Sequence, residues 1–157
     1  NIDDKTIIMG IKNISWPGRI QIIKEKPTII FDVSHNENSI AAFCKAIKKL
    51  SIIGKKTLVI SLRKTKNINN VTSELLKIFD QIICTQINNK MYTNKELTSI
   101  FSSGTNVAST SQPTKLIQNI IKNSQDNDLL AIIGSHYWGK EIEKIFKISL
   151  VSNQFKL

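Results

Sequence analysis

Short apolar runs that alternate with segments of helical period predict an α/β fold in three layers, a mostly parallel sheet with helices on both faces. Three observations carry that expectation. The strand-length runs are dense in Ile, Val and Leu, as in strands covered on both sides. The segments between them repeat apolar residues every three to four positions. The length, 157 residues with 41% hydrophobic side chains, suits one domain large enough to bury a real core.

Taken in order, Pro17 and Gly18 suit a turn that presents Arg19 just before a strand at residues 20–23. A second strand follows at 28–31, and then Ile40, Phe43, Cys44, Ile47 and Leu50 fall on one helical face. Residues 57–60 read as the next strand, with Val71, Leu75, Ile78 and Phe79 close to a shared helical stripe behind it. Strands at 81–85 and, weakly, 106–108 lead to a helix marked by Leu116, Ile117, Ile120 and Ile121. The last strand, 129–133, feeds a closing helix with Trp138, Ile142, Ile145 and Phe146 on one side. No internal repeat or low-complexity linker interrupts this order. Residues 1–9 are expected to be the end of a preceding domain or a linker, 10–150 the domain itself, and 151–157 a loose tail. The opening Asn1 in place of Met is the start expected of a piece of a longer protein.

Composition narrows the function. The formal charge is +10, which on one face would favour a phosphate backbone. The cations are almost all lysines spread along the chain, however, and Ile and Asn are equally overused, a bias that matches AT-rich codon usage. Aromatic content is 6%, too sparse for stacking platforms, so no nucleic-acid partner is expected. No apolar run approaches 18 residues and no signal-peptide pattern is visible, which points to a soluble chain with no membrane partner. Cys44 and Cys84 lie far apart without metal-ligand spacing and read as buried free thiols of a reducing, cytoplasmic compartment. No metal ligand set is expected in this chain.

Three stretches carry chemistry. In TIIFDVSHNENS an apolar run ends in Asp32 and His35, the position after a strand where ligands of open α/β sheets bind. Ser34 and Glu37 stand three apart, the spacing of a capping box, so a helix is expected to start near His35 or Asn36. Its first-turn amides and dipole favour an anion, an acid there accepts from ribose hydroxyls or helps hold a metal, and an imidazole can bond a phosphate or carboxylate. In IIGSHYWGKEI, Gly134 permits a tight turn, Ser135 can cap the next helix, and His136 and Tyr137 project at the same sheet edge. In SWPGRIQII, Arg19 is one of two arginines against twenty lysines, and its planar fork suits phosphate or carboxylate.

WPGR, FDVSHN and IIGSHYWGKEI, in this order and spacing, resemble the C-terminal domain of folylpolyglutamate synthase and dihydrofolate synthase, a branch of the Mur ligase superfamily with a Rossmann-like fold. The resemblance covers nearly the whole chain. It implies an ATP-dependent acid–amino-acid (C–N) ligase that phosphorylates a folate or pteroate carboxylate and lets the amine of L-glutamate displace phosphate, assisted by Mg2+. It implies ATP contacts for Arg19 and Asp32, a catalytic place for His35 by the γ-phosphate and glutamate, and glutamate binding for His35, Ser135 and Tyr137. The family's D-G-A-H-N stands here as Asp32-Val33-Ser34-His35-Asn36, its D-K-D as Thr65-Lys66-Asn67, and an N-P-R-A-like segment as Asn88-Asn89-Lys90-Met91.

No G-x-x-x-x-G-K-[ST] phosphate loop occurs; Gly54-Lys55-Lys56-Thr57 lacks the first glycine and the register. The resemblance places that loop, the folate pocket and most magnesium ligands in an N-terminal P-loop ATPase domain. The expected function is therefore half of an active site, which needs that domain as a partner in the same or another chain. A nucleotide- or anion-binding α/β module without catalysis is the alternative.

Overall fold

The computed structural model describes residues 2–12, 16–101 and 104–150. Six strands form one sheet in the order β1-β2-β6-β3-β4-β5: β1 (Gln21–Lys24), β2 (Thr28–Asp32), β3 (Lys56–Ile60), β4 (Gln81–Thr85), β5 (Val107–Thr110) and β6 (Leu129–Ile133). All neighbours run parallel except the edge strand β1, which pairs antiparallel with β2 through a register irregularity between Ile22 and Lys24. The central strand β6 is buried along its whole length, which explains why its five residues are all aliphatic.

The helices divide between the two faces. α2 (Glu37–Lys48), α3 (Thr72–Ile78) and α4 (Asn94–Ile100) cover one, closing a core around Ile30, Phe43, Leu58, Phe79, Leu97 and Ile133. α5 (Pro113–Asn123) and α6 (Trp138–Phe146) cover the other, over Phe31, Val59, Ile83, Ile132 and Trp138. Each of these buried side chains contributes about 1.5–3 kcal/mol of transfer free energy. The three-layer, mostly parallel architecture matches the sequence expectation, and the free thiols of Cys44 and Cys84 are both buried.

Several local expectations need correction. The Ser34/Glu37 capping box does not form: Asn36 caps α2, with its side chain taking the Ser39 amide while the Ser39 hydroxyl takes the Asn36 amide. Asn36 is extended and one turn away from Ser39, so it outcompetes a serine two residues further upstream. Ser135 does not cap α6 from the N-cap position, which Tyr137 occupies; its hydroxyl instead accepts the Tyr137 amide in a short turn. The weak strand at 106–108 is displaced to Val107–Thr110. A helix α1 (Asp4–Lys12) crosses the boundary drawn between residues 9 and 10. Helix α4 was not anticipated, although Thr93 and Glu96 form the capping box that marks its start. The expected tail at 151–157 lies outside the described residues.

Candidate functional site

Topology fixes where a ligand would sit. Strand β6 lies between β2 and β3, and the chain leaves β6 towards one face (α6) but leaves β2 and β3 towards the other (α2, α3). Diverging connections open a crevice at the carboxyl ends of these strands. Asp32 is in register with Ile133, so the loops holding Asp32–His35 and Ser135–Tyr137 start side by side.

The turn carrying Arg19 is tied into the same edge. Trp16 to Arg19 forms a β-turn closed by the Arg19 amide on the Trp16 carbonyl (3.2 Å), with Gly18 at φ +69° in the third position, the geometry of a type II turn. Glycine is required there because a Cβ would stand 2.6 Å from Cγ1 of Val33. The Val33 amide donates to the Gly18 carbonyl at 2.8 Å. Asp32 completes the tie. Its side chain is buried, Oδ1 accepts the Ser34 amide (2.7 Å), and Oδ2 accepts the Ile20 amide (2.8 Å). Ile20 stands at φ +44°, a sparsely allowed region for a β-branched residue, and the charged acceptor helps to hold it there. Arg19 itself is exposed, and among the described residues its guanidinium has no hydrogen-bond or ion-pair partner.

His35 is half-buried at the mouth of α2. Its Nδ1 lies 2.8 Å from the Val33 carbonyl, which can only accept, so Nδ1 carries a proton and Nε2 is left for another partner. Ser39 holds the loop beneath it, its hydroxyl accepting from the His35 and Asn36 amides.

On the β6 side, Gly134 adopts φ +106°, and a Cβ would collide with the Ser61 carbonyl at the end of β3. Ser135 is buried while His136 is exposed and Tyr137 half-exposed, with their rings 4.5 Å apart. Lys90, in the loop after β4, places Nζ 6.0 Å from the Tyr137 ring centroid. A cleft of about 280 Å3 lies against Pro17, Phe31, Val33, His136, Lys140 and Glu143. The structure thus brings Arg19, Asp32, His35, Ser135 and Tyr137 to one edge of the sheet. The motif reading passed over Lys90 and Ser39, and a Ser three residues after an Asn was the local signal for the second.

Among the described residues no three His, Cys, Asp or Glu side chains lie close enough together to hold a metal ion. The acid at the crevice spends both oxygens on backbone amides. The donor set among the described residues does not fit a resident magnesium ion.

Residues 18–136 match the family model described as Mur ligase, glutamate ligase domain. The chain belongs to this family. A Mur ligase relative, the dihydrofolate synthase/folylpolyglutamate synthase of Buchnera aphidicola subsp. Baizongia pistaciae, is 29% identical over 99% of this chain and 36% of its own. The Bacillus subtilis protein of the same description is 24% identical over 94% of this chain and 34% of its own. Among solved structures, a bifunctional folylpolyglutamate synthase/dihydrofolate synthase with Mn, AMPPNP and L-glutamate bound superposes with a TM-score of 0.81 at 20% identity, over 94% of this chain and 36% of that one. Escherichia coli FolC in complex with ADP gives 0.78 at 22% identity, over 94% and 34%. At such identities the structural likeness establishes the Mur ligase fold alone. The chain spans about a third of the length of these relatives. No helix among the described residues is long and apolar enough to cross a membrane.

Proposed function

We propose that this chain is the C-terminal half-site of a cytoplasmic ATP-dependent ligase that joins L-glutamate to a folate or dihydropteroate carboxylate. The observation that supports this reading most is the convergence of Arg19, His35 and the Ser135–Tyr137 loop on one crevice, in a chain of the Mur ligase glutamate ligase family. In the reaction, a carboxylate oxygen attacks the γ-phosphorus of ATP and ADP leaves. The glutamate amine then attacks the acyl carbon, the C–O bond to phosphate breaks, and the amine loses a proton.

Within that scheme Arg19 pairs with phosphate oxygens of the nucleotide, where a planar fork can make two parallel bonds. His35 offers Nε2 to the transferring phosphate or to the attacking glutamate, with Nδ1 locked on the Val33 carbonyl. Ser135 and Tyr137 shape the place of the glutamate. Asp32 contributes to ATP binding as a positioning residue, because its carboxylate holds the Arg19 turn against β2. A P-loop domain supplies the phosphate loop, the Mg2+ ligands and the pteridine pocket, since this sequence holds no phosphate loop to cradle the β- and γ-phosphates.

The test is glutamate addition by the chain with and without such a domain. The chain alone gives no ATP-dependent product. With the domain present, Arg19→Ala and His35→Ala each lower the rate by roughly 30- to 1000-fold, about 2–4 kcal/mol of transition-state stabilisation. Arg19→Lys recovers charge but not the fork and falls between. Full activity of both alanine variants, or robust synthesis by the chain alone, overturns the reading.

A further inference from the structure

The second arginine of the chain has no place in the mechanism above. Arg63 lies three residues beyond the end of β3, the strand beside β6 at the mouth of the crevice. Its segment is fastened to the loop after β4: the Tyr92 amide donates to the Leu62 carbonyl (2.8 Å), Arg63 and Met91 form an antiparallel bridge, and the Lys64 amide donates to the Lys90 carbonyl (3.2 Å). Lys90 is the residue whose ammonium faces the Tyr137 ring. Loops after three adjacent strands, β6, β3 and β4, are therefore joined around Arg63.

The side chain is half-buried, and its Nε is shielded from solvent yet donates to no acceptor among the described residues. A cationic N–H withdrawn from water without a partner is uncommon in folded proteins, because such donors are satisfied almost everywhere. Among the described residues no carboxylate serves it. Glu96, the acid of this neighbourhood, is occupied by the Thr93 amide, the Thr93 hydroxyl and, at 3.6 Å, Lys64. Around Arg63 the charges are otherwise positive, from Lys64, Lys66 and Lys90.

The two terminal NH2 groups of an arginine present parallel N–H bonds at a spacing that matches the two oxygens of a carboxylate. We propose that Arg63 is a binding residue for a carboxylate of the amino-acid substrate, gripped end-on through the terminal N–H groups of a guanidinium that has no acceptor among the described residues, on the flank of the crevice opposite Arg19. This rests on the ligase reading, which puts glutamate beside Ser135 and Tyr137. It assigns Arg63 a role that its place outside the three motifs had not indicated.

The experiment follows the arginine Nε–H and the backbone amides of the 157-residue chain by NMR while L-glutamate or inorganic phosphate is added. The Arg63 Nε–H resonance is expected to move with glutamate and not with phosphate. Arg63→Lys, which keeps the charge and most of the stem, weakens glutamate binding about tenfold, and Arg63→Ala about a hundredfold, with the backbone spectrum of each variant retained as the check on folding. If the His35 and Ser135 amides respond to glutamate while the Arg63 Nε–H does not, Arg63 is outside the site and the ligase reading stands. If none of these signals responds to either anion, both fail. Movement with phosphate alone makes Arg63 a nucleotide contact and overturns the proposal, as does unchanged glutamate affinity in Arg63→Lys.

Discussion

Replacing Asp32 by alanine tests the joint on which the site depends. Two backbone amides, Ile20 at 2.8 Å and Ser34 at 2.7 Å, end on one buried carboxylate. Hydrogen bonds to a charged group contribute about 1.5–3 kcal/mol each, so the pair sets an upper limit near 6 kcal/mol. The Ile20 amide is only partly buried and water can replace its partner, and the alanine variant also escapes the desolvation of a charge. The net loss is therefore about 3 kcal/mol. Asparagine keeps one acceptor oxygen and turns an NH2 towards the other amide, which leaves roughly half the loss. Urea unfolding at neutral pH reads this as a midpoint shift of about 1–3 M for alanine, given a slope of 1–3 kcal/mol per M. Amide exchange adds a local reading, since Ile20 at φ +44° should lose protection more than the core strands do. Both variants within about 0.5 kcal/mol of the parent, with Ile20 still protected, would refute the claim that the carboxylate holds the turn.

The other predictions concern single contacts. Ser39→Ala removes the hydroxyl that serves the His35 and Asn36 amides and should cost about 1 kcal/mol, a fall of roughly 2–4 °C in Tm. Gly134→Ala forces a side chain against the Ser61 carbonyl at φ +106° and should destabilise by about 2–4 kcal/mol, whereas Gly139→Ala, whose Cβ meets only Leu150 Cδ1 at 3.5 Å, should be neutral or mildly stabilising; equal urea midpoints for the two would contradict this account. Burial pushes the Cys44 thiol up to about 12, with Glu74 adding to the effect, and the Cys84 thiol up to about 11. The folded state holds these protons more tightly than the unfolded chain. Their contribution to stability is therefore complete below pH 9 and declines as the pH rises towards 11–12, and a disulfide reagent at pH 8 should label both thiols at the rate of opening rather than of free cysteine.

Legibility in the sequence followed the strength of the physical signal. Strands β4 and β6 were placed to the residue because buried parallel strands leave continuous aliphatic runs. Helix α4 escaped because it is only about two turns long and buries Leu97 as its only fully hidden side chain, too little for a periodic stripe. At the site, the positions of Arg19, Asp32, His35, Ser135 and Tyr137 along one sheet edge were legible from strand-helix alternation and the motif order. Their division of labour was not. That Asp32 accepts from Ile20, twelve residues earlier, depends on the antiparallel return of β1, which no local pattern announces. The orphan Nε of Arg63 depends likewise on the loop after β4 folding back onto the loop after β3.

The fate of the acids explains why such a domain reads as a half-site. At the crevice Asp32 is consumed by backbone amides; further out, Glu37 serves Asn70 and Glu96 serves Thr93 and Lys64. Glu143, in the wall of the cleft, takes the Leu150 amide with Oε1, and the other groups that face a ligand are cationic or neutral: the Arg19 and Arg63 guanidiniums, Lys90, His35 Nε2 and the Tyr137 ring. Such a surface grips phosphate and carboxylate oxygens, but among the described residues it gathers no cluster of carboxylates with which to hold a divalent ion. Two anionic substrates brought this close repel one another, and arginine and lysine neutralise only part of that charge. In the proposed ligase the remainder, together with the metal that phosphoryl transfer calls for, would fall to the P-loop domain.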